Sequence, residues 1–599
     1  MCAEGNSTNG SQWLSALLAA GLLALSQQAS ADFSSSGATL VSAPVAGQNL
    51  TEDSQEPSVS ANADIVAFAS KSENLVAAGL DTNKAGDAFV SASSKSVEVV
   101  SQRQRPTGSK DPMPAANGQS SFPAISPRLP DGGYGIAFDS KAPDIINNYV
   151  SPPGSTIGNP SQIYLRLYPS NRNILVSRSI DQSGASLKGA DRNSYFPVVS
   201  VVPGDVPKYK VAFLSEASDL ANSAGTSSAP YLATVYFDRG EEVVEIEALP
   251  SPPDAPCSDL TMSGDGRIVA FASYATNLVT APSMSQQVYQ WIPVPLRGES
   301  ELSLISATST GTPGNGNSYG PSLSYLGDVR TFITEASNLI SNATPNRSVI
   351  ALSRSTKTSI TQVNTYSNGS PSTQSAEVAR LSPSGLYVAF PERSNLASNS
   401  TTLHDWQQVY LKDLTSGTLT IVSATKDGSI GSGGNSGEQS SSGEISRGAL
   451  ALGGAGFNST SLVVLFNSRA PNLSSLLGGF QGVFRANLTA SPPLLSDGLK
   501  LSTPPDVVVR GKKVTIKLQK FKLPANSSEA SPLASNVSYR VTTRSAGTNY
   551  RTITTTTRNQ VTMANLSPGR YTVSYRVTGG RGSNRATSTT SPKNTFTIK

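Results

Sequence analysis

The stretch DTNKAGD, residues 81–87, sets Asp81, Asn83 and Asp87 on alternate residues, with Gly86 beside the last of them. Oxygen-bearing side chains in that pattern can ligate calcium, and the glycine eases the turn such a loop needs. The same residues also build an Asx-rich turn without any metal, since Asn and Asp side chains hydrogen-bond nearby backbone. The expectation is no cofactor, or calcium at Asp81, Asn83 and Asp87.

Other chemistry is scarce. His404 is the single histidine, which removes His-rich metal sites and Ser-His-Asp triads with a histidine elsewhere. Beside Asp405 and Trp406 it reads as a surface turn residue. No P-loop or haem motif is present. A glycoside-cleaving site would need two acids about 5–9 Å apart, and Glu377 and Glu444 are the acids to test for it. Cys2 lies in the N-terminal leader, so Cys257 remains alone, without a disulfide partner or metal-ligand spacing.

Charge is distributed unevenly. Residues 505–599 hold 16 Lys or Arg and two acids, Asp506 and Glu529, for a net +14, while the rest of the chain carries −9. Lys512, Lys513, Lys517, Lys520 and Lys522 crowd one strand region, and Arg540 and Arg576 alternate with apolar neighbours, which puts them on exposed sheet faces. Basic residues keep a sheet soluble and guard its edges. They also form a docking surface for an anionic partner: acidic polysaccharide, lipopolysaccharide, nucleic acid, or the acidic remainder of this chain. Nucleic acid is the weakest of these, because no recognised binding motif accompanies the charge.

The elements behind these residues repeat. Phe68, Phe138, Phe213, Phe271, Phe332, Phe390 and Phe466 each close a short apolar run such as IVAFAS or KVAFLS. An Asn or Asp followed by Leu or Ile comes five or six residues later, as in Asn74-Leu75 and Asn277-Leu278. A Ser-ending segment precedes each Phe, and an aromatic strand and a last strand follow it. The Asn/Asp pairs and the Ser residues read as loop and turn formers. Each unit is four strands that cannot bury both faces alone, so units must stack. The expected fold is an all-β, seven-bladed β-propeller over residues 32–504. GATLVS (37–42) matches the last strand of the other units and would pair with the seventh blade, with LLSDGLKLS (494–502) as the competing candidate.

SGDG (263–266), SPSG (382–385), the VAF strands and VYLKD (409–413) resemble the WD-like repeats of the TolB-type β-propeller family over residues 37–490 or so. That resemblance implies the propeller fold, and says little about function, because such propellers serve as docking platforms, enzyme appendages and surface proteins. Residues 505–599, with YTVSYRV (571–577) and NLSPGRY (565–571), resemble fibronectin-type and other immunoglobulin-like β-sandwiches.

Residues 1–31 read as a signal peptide ending Ala29-Ser30-Ala31, although no Lys or Arg precedes the apolar run. No second apolar span follows. These features point to an exported, disulfide-free bacterial protein of the periplasm or cell surface. The expected function is non-enzymatic binding or scaffolding. Long Gly/Ser/Asn loops on the propeller face would engage a protein or glycan, and the basic domain would engage the anionic partner. The alternatives are a carbohydrate-active enzyme with its site at the propeller axis and a self-assembling surface protein.

Overall fold

The computed structural model describes residues 34–92, 96–106, 112–129, 131–152, 159–182, 186–221, 227–280, 283–293, 300–340, 347–355, 359–397, 400–437, 449–454, 461–489, 501, 504–518, 537–545, 551–556, 558, 560–564, 566–579, 586–588, 590–591 and 593–598. The leader, Glu444, Lys520, Lys522 and all of 494–502 except Leu501 lie outside them.

Among the described residues, seven four-stranded antiparallel sheets follow one another. Their inner strands are Ser54–Val59, Ser120–Ile125, Ser194–Val202, Cys257–Met262, Ser318–Leu323, Arg380–Leu381 and Leu450–Gly454. The Phe strands are Ile65–Ser70, Tyr134–Ser140, Lys208–Ser215, Val269–Ser273, Val329–Thr334, Tyr387–Asn395 and Ser461–Ser468. In the seventh sheet the described inner strand is Leu450–Gly454; the Ser-ending segment EIS (444–446) expected there lies outside the described residues. Each sheet packs against the next, and the seventh against the first. All seven Phe side chains are fully buried. Six stack on the aromatic directly across in the third strand, from Phe68 on Phe89 at 5.7 Å to Phe390 on Tyr410 at 6.1 Å. Such cross-strand pairs add to area burial and set the register.

The fourth strand of the seventh sheet comes from the start of the chain. Ser34–Leu40 pairs antiparallel with Gly482–Thr489. Gly37 has φ +80°, and a Cβ there would meet the Lys426 backbone nitrogen at 2.4 Å. Only glycine allows this strand to pass so close to the linker of the sixth sheet, where Ala38 N–H donates to Ala424 C=O at 2.7 Å.

Beyond residue 504, a three-stranded sheet and a five-stranded sheet face each other. Val507, Val514, Ile516 and Val561 from the first meet Tyr539, Tyr571, Val573, Tyr575 and Phe596 from the second in one core. No helix among the described residues is long and apolar enough to cross a membrane.

Candidate functional site

The 81–87 turn belongs to a bridge that recurs around the seven sheets. In the second and fourth sheets a buried glutamine opens the third strand, and in the sixth a buried glutamine lies within it. Gln162, Gln287 and Gln408 accept from Ser177, Ser306 and Ser423 at 2.6–2.8 Å. Their amide nitrogens donate to Ala190, Gly314 and Gly431 C=O at 2.9 Å. The first sheet makes the same bridge with two residues. Asp87 accepts from Ser101 at 2.6 Å, and Asn83 spans from Asp87 (2.8 Å) to Ala116 C=O (2.7 Å). Asn83 and Asp87 are thus engaged in joining the sheet to its linker.

Asp81 is left over: it is 4% exposed, and neither carboxylate oxygen has a hydrogen-bond partner. Burial lifts its pKa to about 6, helped by Glu73, while the nearby Asn83 N–H opposes the shift. Burial also lifts Asp87 to about 7, against the hydrogen bonds from Ser101 and Asn83. Among the described residues no group of three or more His, Cys, Asp or Glu side chains is placed to hold a metal.

The recurrent Asn/Asp residues clamp the linkers. Asn74, Asn277, Asn338 and Asn472 donate to Asn49, Pro252, Pro313 and Ile430 C=O at 2.8–2.9 Å. Asp144 and Asp219 accept from Asn117 and Asp191 N–H at 2.8 and 2.9 Å. The turn serines cap their own hairpins, as Ser263 does by accepting from Ile268 N–H at 3.0 Å.

The inner strands surround an axial cavity of about 240 Å³ to which all seven sheets contribute. Its wall is mostly apolar, with Pro57, Phe122, Leu260, Met262, Pro321 and Leu452; Glu56 and Arg380 are the charged residues of the lining. In five sheets the inner strand bulges at a residue with positive φ: Glu56, Phe122, Phe196, Asp259 and Gly320. A bulge turns its N–H out of the ladder, and a carboxylate of the preceding sheet meets three of these. Glu56 accepts from Phe122 N–H at 2.7 Å, Asp139 from Phe196 at 3.2 Å and Asp259 from Gly320 at 3.3 Å. Sequence reasoning missed Glu56 and Asp259. The recurring X-Pro of Glu56-Pro57, Phe122-Pro123, Phe196-Pro197 and Gly320-Pro321 was the available signal.

Glu377 is exposed three residues before the sixth inner strand, outside the cavity lining. His404 lies on an extended hairpin with its Nε2 2.9 Å from the Tyr410 hydroxyl, and desolvation lowers its pKa. Cys257 is buried, and burial pushes its thiol up to about 12.

The third residue after each Phe forms a ring at one mouth of the cavity. In sheet order it is Lys71, Lys141, Glu216, Tyr274, Glu335, Arg393 and Arg469. Four of these donate their N–H to the linker residue just before an inner strand begins, among them Lys141 to Gln119 and Glu335 to Asn317, and Arg469 donates to Asn435 beside the Ser436–Ser468 bridge. The ring therefore lies at the linker end of the inner strands. One arc is basic and the other holds acids and tyrosine.

The opposite mouth faces the C-terminal part. Arg128, Val202, Asp265, Arg267 and Tyr325, from the hairpin ends, line a space of about 370 Å³ together with Asp506, Lys593 and Asn594. Asp205 joins the two parts, pairing with Arg570 at 3.4 Å and accepting from Thr597 at 3.1 Å.

The basic residues predicted to act together fall on two sheets. Lys512, Lys513 and Lys517 are exposed on the three-stranded sheet, where Lys517 stands opposite Asp506. Arg540 and Arg576 are exposed on the five-stranded sheet and stand directly opposite each other. Arg544, also exposed, lies four residues beyond Arg540 along the same face. None of these three arginines is in an ion pair among the described residues, and the strands of this sheet contain no acid.

No protein-family model and no curated sequence matches the chain. Solved structures similar to it include the Hadza microbial sialidase Hz136 (10% identity, TM-score 0.30, 72% of this chain and 65% of that one). Another is prolyl oligopeptidase B from Galerina marginata bound to a 25mer macrocyclization substrate, a D661A mutant (9%, TM-score 0.32, 75% and 49%). A third is Sqt1 from Chaetomium thermophilum (12%, TM-score 0.28, 73% and 84%). The chain thus spans about half to two thirds of the first two. At these TM-scores the matches carry no argument about function; the strand topology itself is that of a β-propeller-like, all-β protein.

Proposed function

We propose that the seven sheets are the blades of a β-propeller of the TolB-like kind, that residues 505–599 form an immunoglobulin-like sandwich, and that the protein is an exported, non-enzymatic binding protein of the bacterial envelope or surface. Its C-terminal sheet engages an acidic polysaccharide, and its propeller face engages a glycan or protein.

The observation that carries this reading is the opposition of Arg540 and Arg576. Like charges directly across a sheet cost up to about 1 kcal/mol, and no acid on that sheet relieves them. An anionic polymer would relieve the repulsion and accept paired guanidinium hydrogen bonds along an exposed, Thr- and Ser-rich face. Arg570, on the same strand, already meets a carboxylate, Asp205.

The test is binding of the full chain to polygalacturonate, lipopolysaccharide and duplex DNA across a salt series. Polygalacturonate binding that weakens steeply with salt, and falls about tenfold in an Arg540→Ala/Arg576→Ala variant, supports the reading. Binding that the variant leaves unchanged, or binding to DNA alone, overturns it.

A further inference from the structure

The acid-and-tyrosine arc of the mouth ring contains the same small assembly twice. In the third sheet the Tyr195 hydroxyl donates to Ser228 at 2.8 Å and to Glu216 at 3.5 Å. In the fifth sheet the Tyr319 hydroxyl donates to Ser348 at 3.4 Å, and Ser348 donates to Glu335 at 3.3 Å. Between the two, on the fourth sheet, Tyr274 is 49% exposed. On the sixth sheet Glu377 is exposed, and its neighbour Ala376 donates its N–H to the Ser348 C=O at 2.9 Å.

We propose that Tyr195, Tyr274 and Tyr319, with Glu216, Glu335 and Glu377, form a binding site for an oligosaccharide of amino sugars. This rests on the reading of the propeller face as a glycan-binding surface and names the ligand class. Tyrosine presents a flat apolar face and a polar tip, which suits sugar rings that carry C–H groups on one side and hydroxyls at the edge. Neutral sugars would not need three carboxylates. Glu216, Glu335 and Glu377 take part in no ion pair among the described residues, so ammonium groups can supply the charge-assisted partners they lack. The opposite arc holds Lys71, Lys141 and Arg393, with Arg469 paired to Asp53 at 2.7 Å; its net positive charge repels a cationic ligand and confines it to one half of the mouth. The described C-terminal strands stand at the other mouth, away from this arc.

The decisive experiment titrates the full chain with glucosamine hexamer, N-acetylglucosamine hexamer and cellohexaose at mildly acidic pH. Preferential binding of the glucosamine hexamer is expected. Tyr274→Ala should weaken it about tenfold. Glu216→Gln/Glu335→Gln should weaken it by a similar factor and abolish the preference over the N-acetylated hexamer, whereas Lys71→Ala/Lys141→Ala should not weaken it. Melting curves matching the parent establish that each variant is folded. Absence of glucosamine-hexamer binding, or indifference to the Tyr and Glu substitutions, overturns the proposal. Equal binding of all three hexamers overturns the amino-sugar assignment while leaving the glycan-binding reading intact. The polygalacturonate test of Arg540 and Arg576 is independent of every one of these outcomes.

Discussion

The Ser42 hydroxyl accepts from the Val483 backbone N–H at 3.0 Å across 441 residues of sequence. Ser101, Ser177, Ser306 and Ser423 make the same bond to Ala88, Ile163, Val288 and Val409 in their own sheets. The start of the chain thus performs, in the seventh sheet, the task that a fourth strand performs elsewhere. Ser42→Ala should lower unfolding free energy by about 1–2 kcal/mol, because it orphans a buried N–H. Deleting residues 34–42 should cost more and expose Gly482–Thr489 as an unpaired edge prone to association. Urea denaturation and light scattering would read both effects. A deletion that left stability and solubility unchanged would refute the closing role.

If Asn83 and Asp87 together replace the single glutamine of other sheets, the replacement should be reversible. The double variant Asn83→Ala/Asp87→Gln should retain near-parental stability, whereas Asp87→Ala alone should lose about 2–3 kcal/mol by leaving the Ser101 O–H and one Asn83 N–H without their acceptor. Asp81 gives a pH signature. Its folded pKa of about 6 lies above the ordinary aspartate value of 3.8, so its folded form binds the proton more tightly. Its contribution is full below about pH 4 and is lost as pH rises through 6, about 2–3 kcal/mol in all. Asp81→Asn should remove that decline. A calcium-dependent rise in melting temperature that Asp81→Asn abolishes would instead assign the loop to the metal.

Lys412 is buried without a carboxylate and donates to Val363 C=O at 2.6 Å and the Thr365 hydroxyl at 2.5 Å. Desolvation lowers its pKa to about 8. The folded state therefore penalises the charged form, and the penalty persists at every pH below 8. It disappears as pH rises from 8 towards the ordinary lysine value near 10.5, a gain of about 3 kcal/mol. Relative to Lys412→Met, the parent should become progressively more stable over that interval. A pH-independent difference between the two would show that Lys412 is solvated.

The sequence made the sheets legible because burial repeats: seven Phe residues at one position can only mean seven equivalent strands. The Asn-Leu pairs were legible for the same reason, since a group needed in every copy belongs to the fold. The mouth ring was also written in the sequence, three residues after each Phe, but its meaning depends on variation between copies. Nothing local distinguishes Glu216 from a solvated surface acid until Tyr195 and Ser228 are placed beside it. Glu56 and Asp259 were hidden because their partners are backbone N–H groups of the next sheet, freed by bulges. The separation of Lys513 from Arg540 was not legible either, because alternation gives the face of a strand but not the sheet to which it belongs.

Cys257 stands where other inner strands carry serine. Ser54, Ser120 and Ser194 pair with Ser70, Ser140 and Ser215 at 2.9 Å and Ser318 with Thr334 at 2.8 Å, while in the seventh sheet Ser436, in an isolated bridge ahead of the inner strand, pairs with Ser468 at 2.9 Å. In the fourth sheet the corresponding pair is Cys257 and Ser273. A thiol is a weak donor, so this position keeps the packing of the pair and gives up most of its hydrogen bond. Cys257→Ser should be neutral or should stabilise the protein by up to about 1 kcal/mol. Cys257→Val should destabilise it by leaving the Ser273 hydroxyl a poorer partner in a tight space. The parent thiol, held near 12 by burial, should resist alkylation in the folded state and react promptly in denaturant. Rapid labelling of the native protein, or marked destabilisation by serine, would show that the sulfur has a role beyond filling a serine's place.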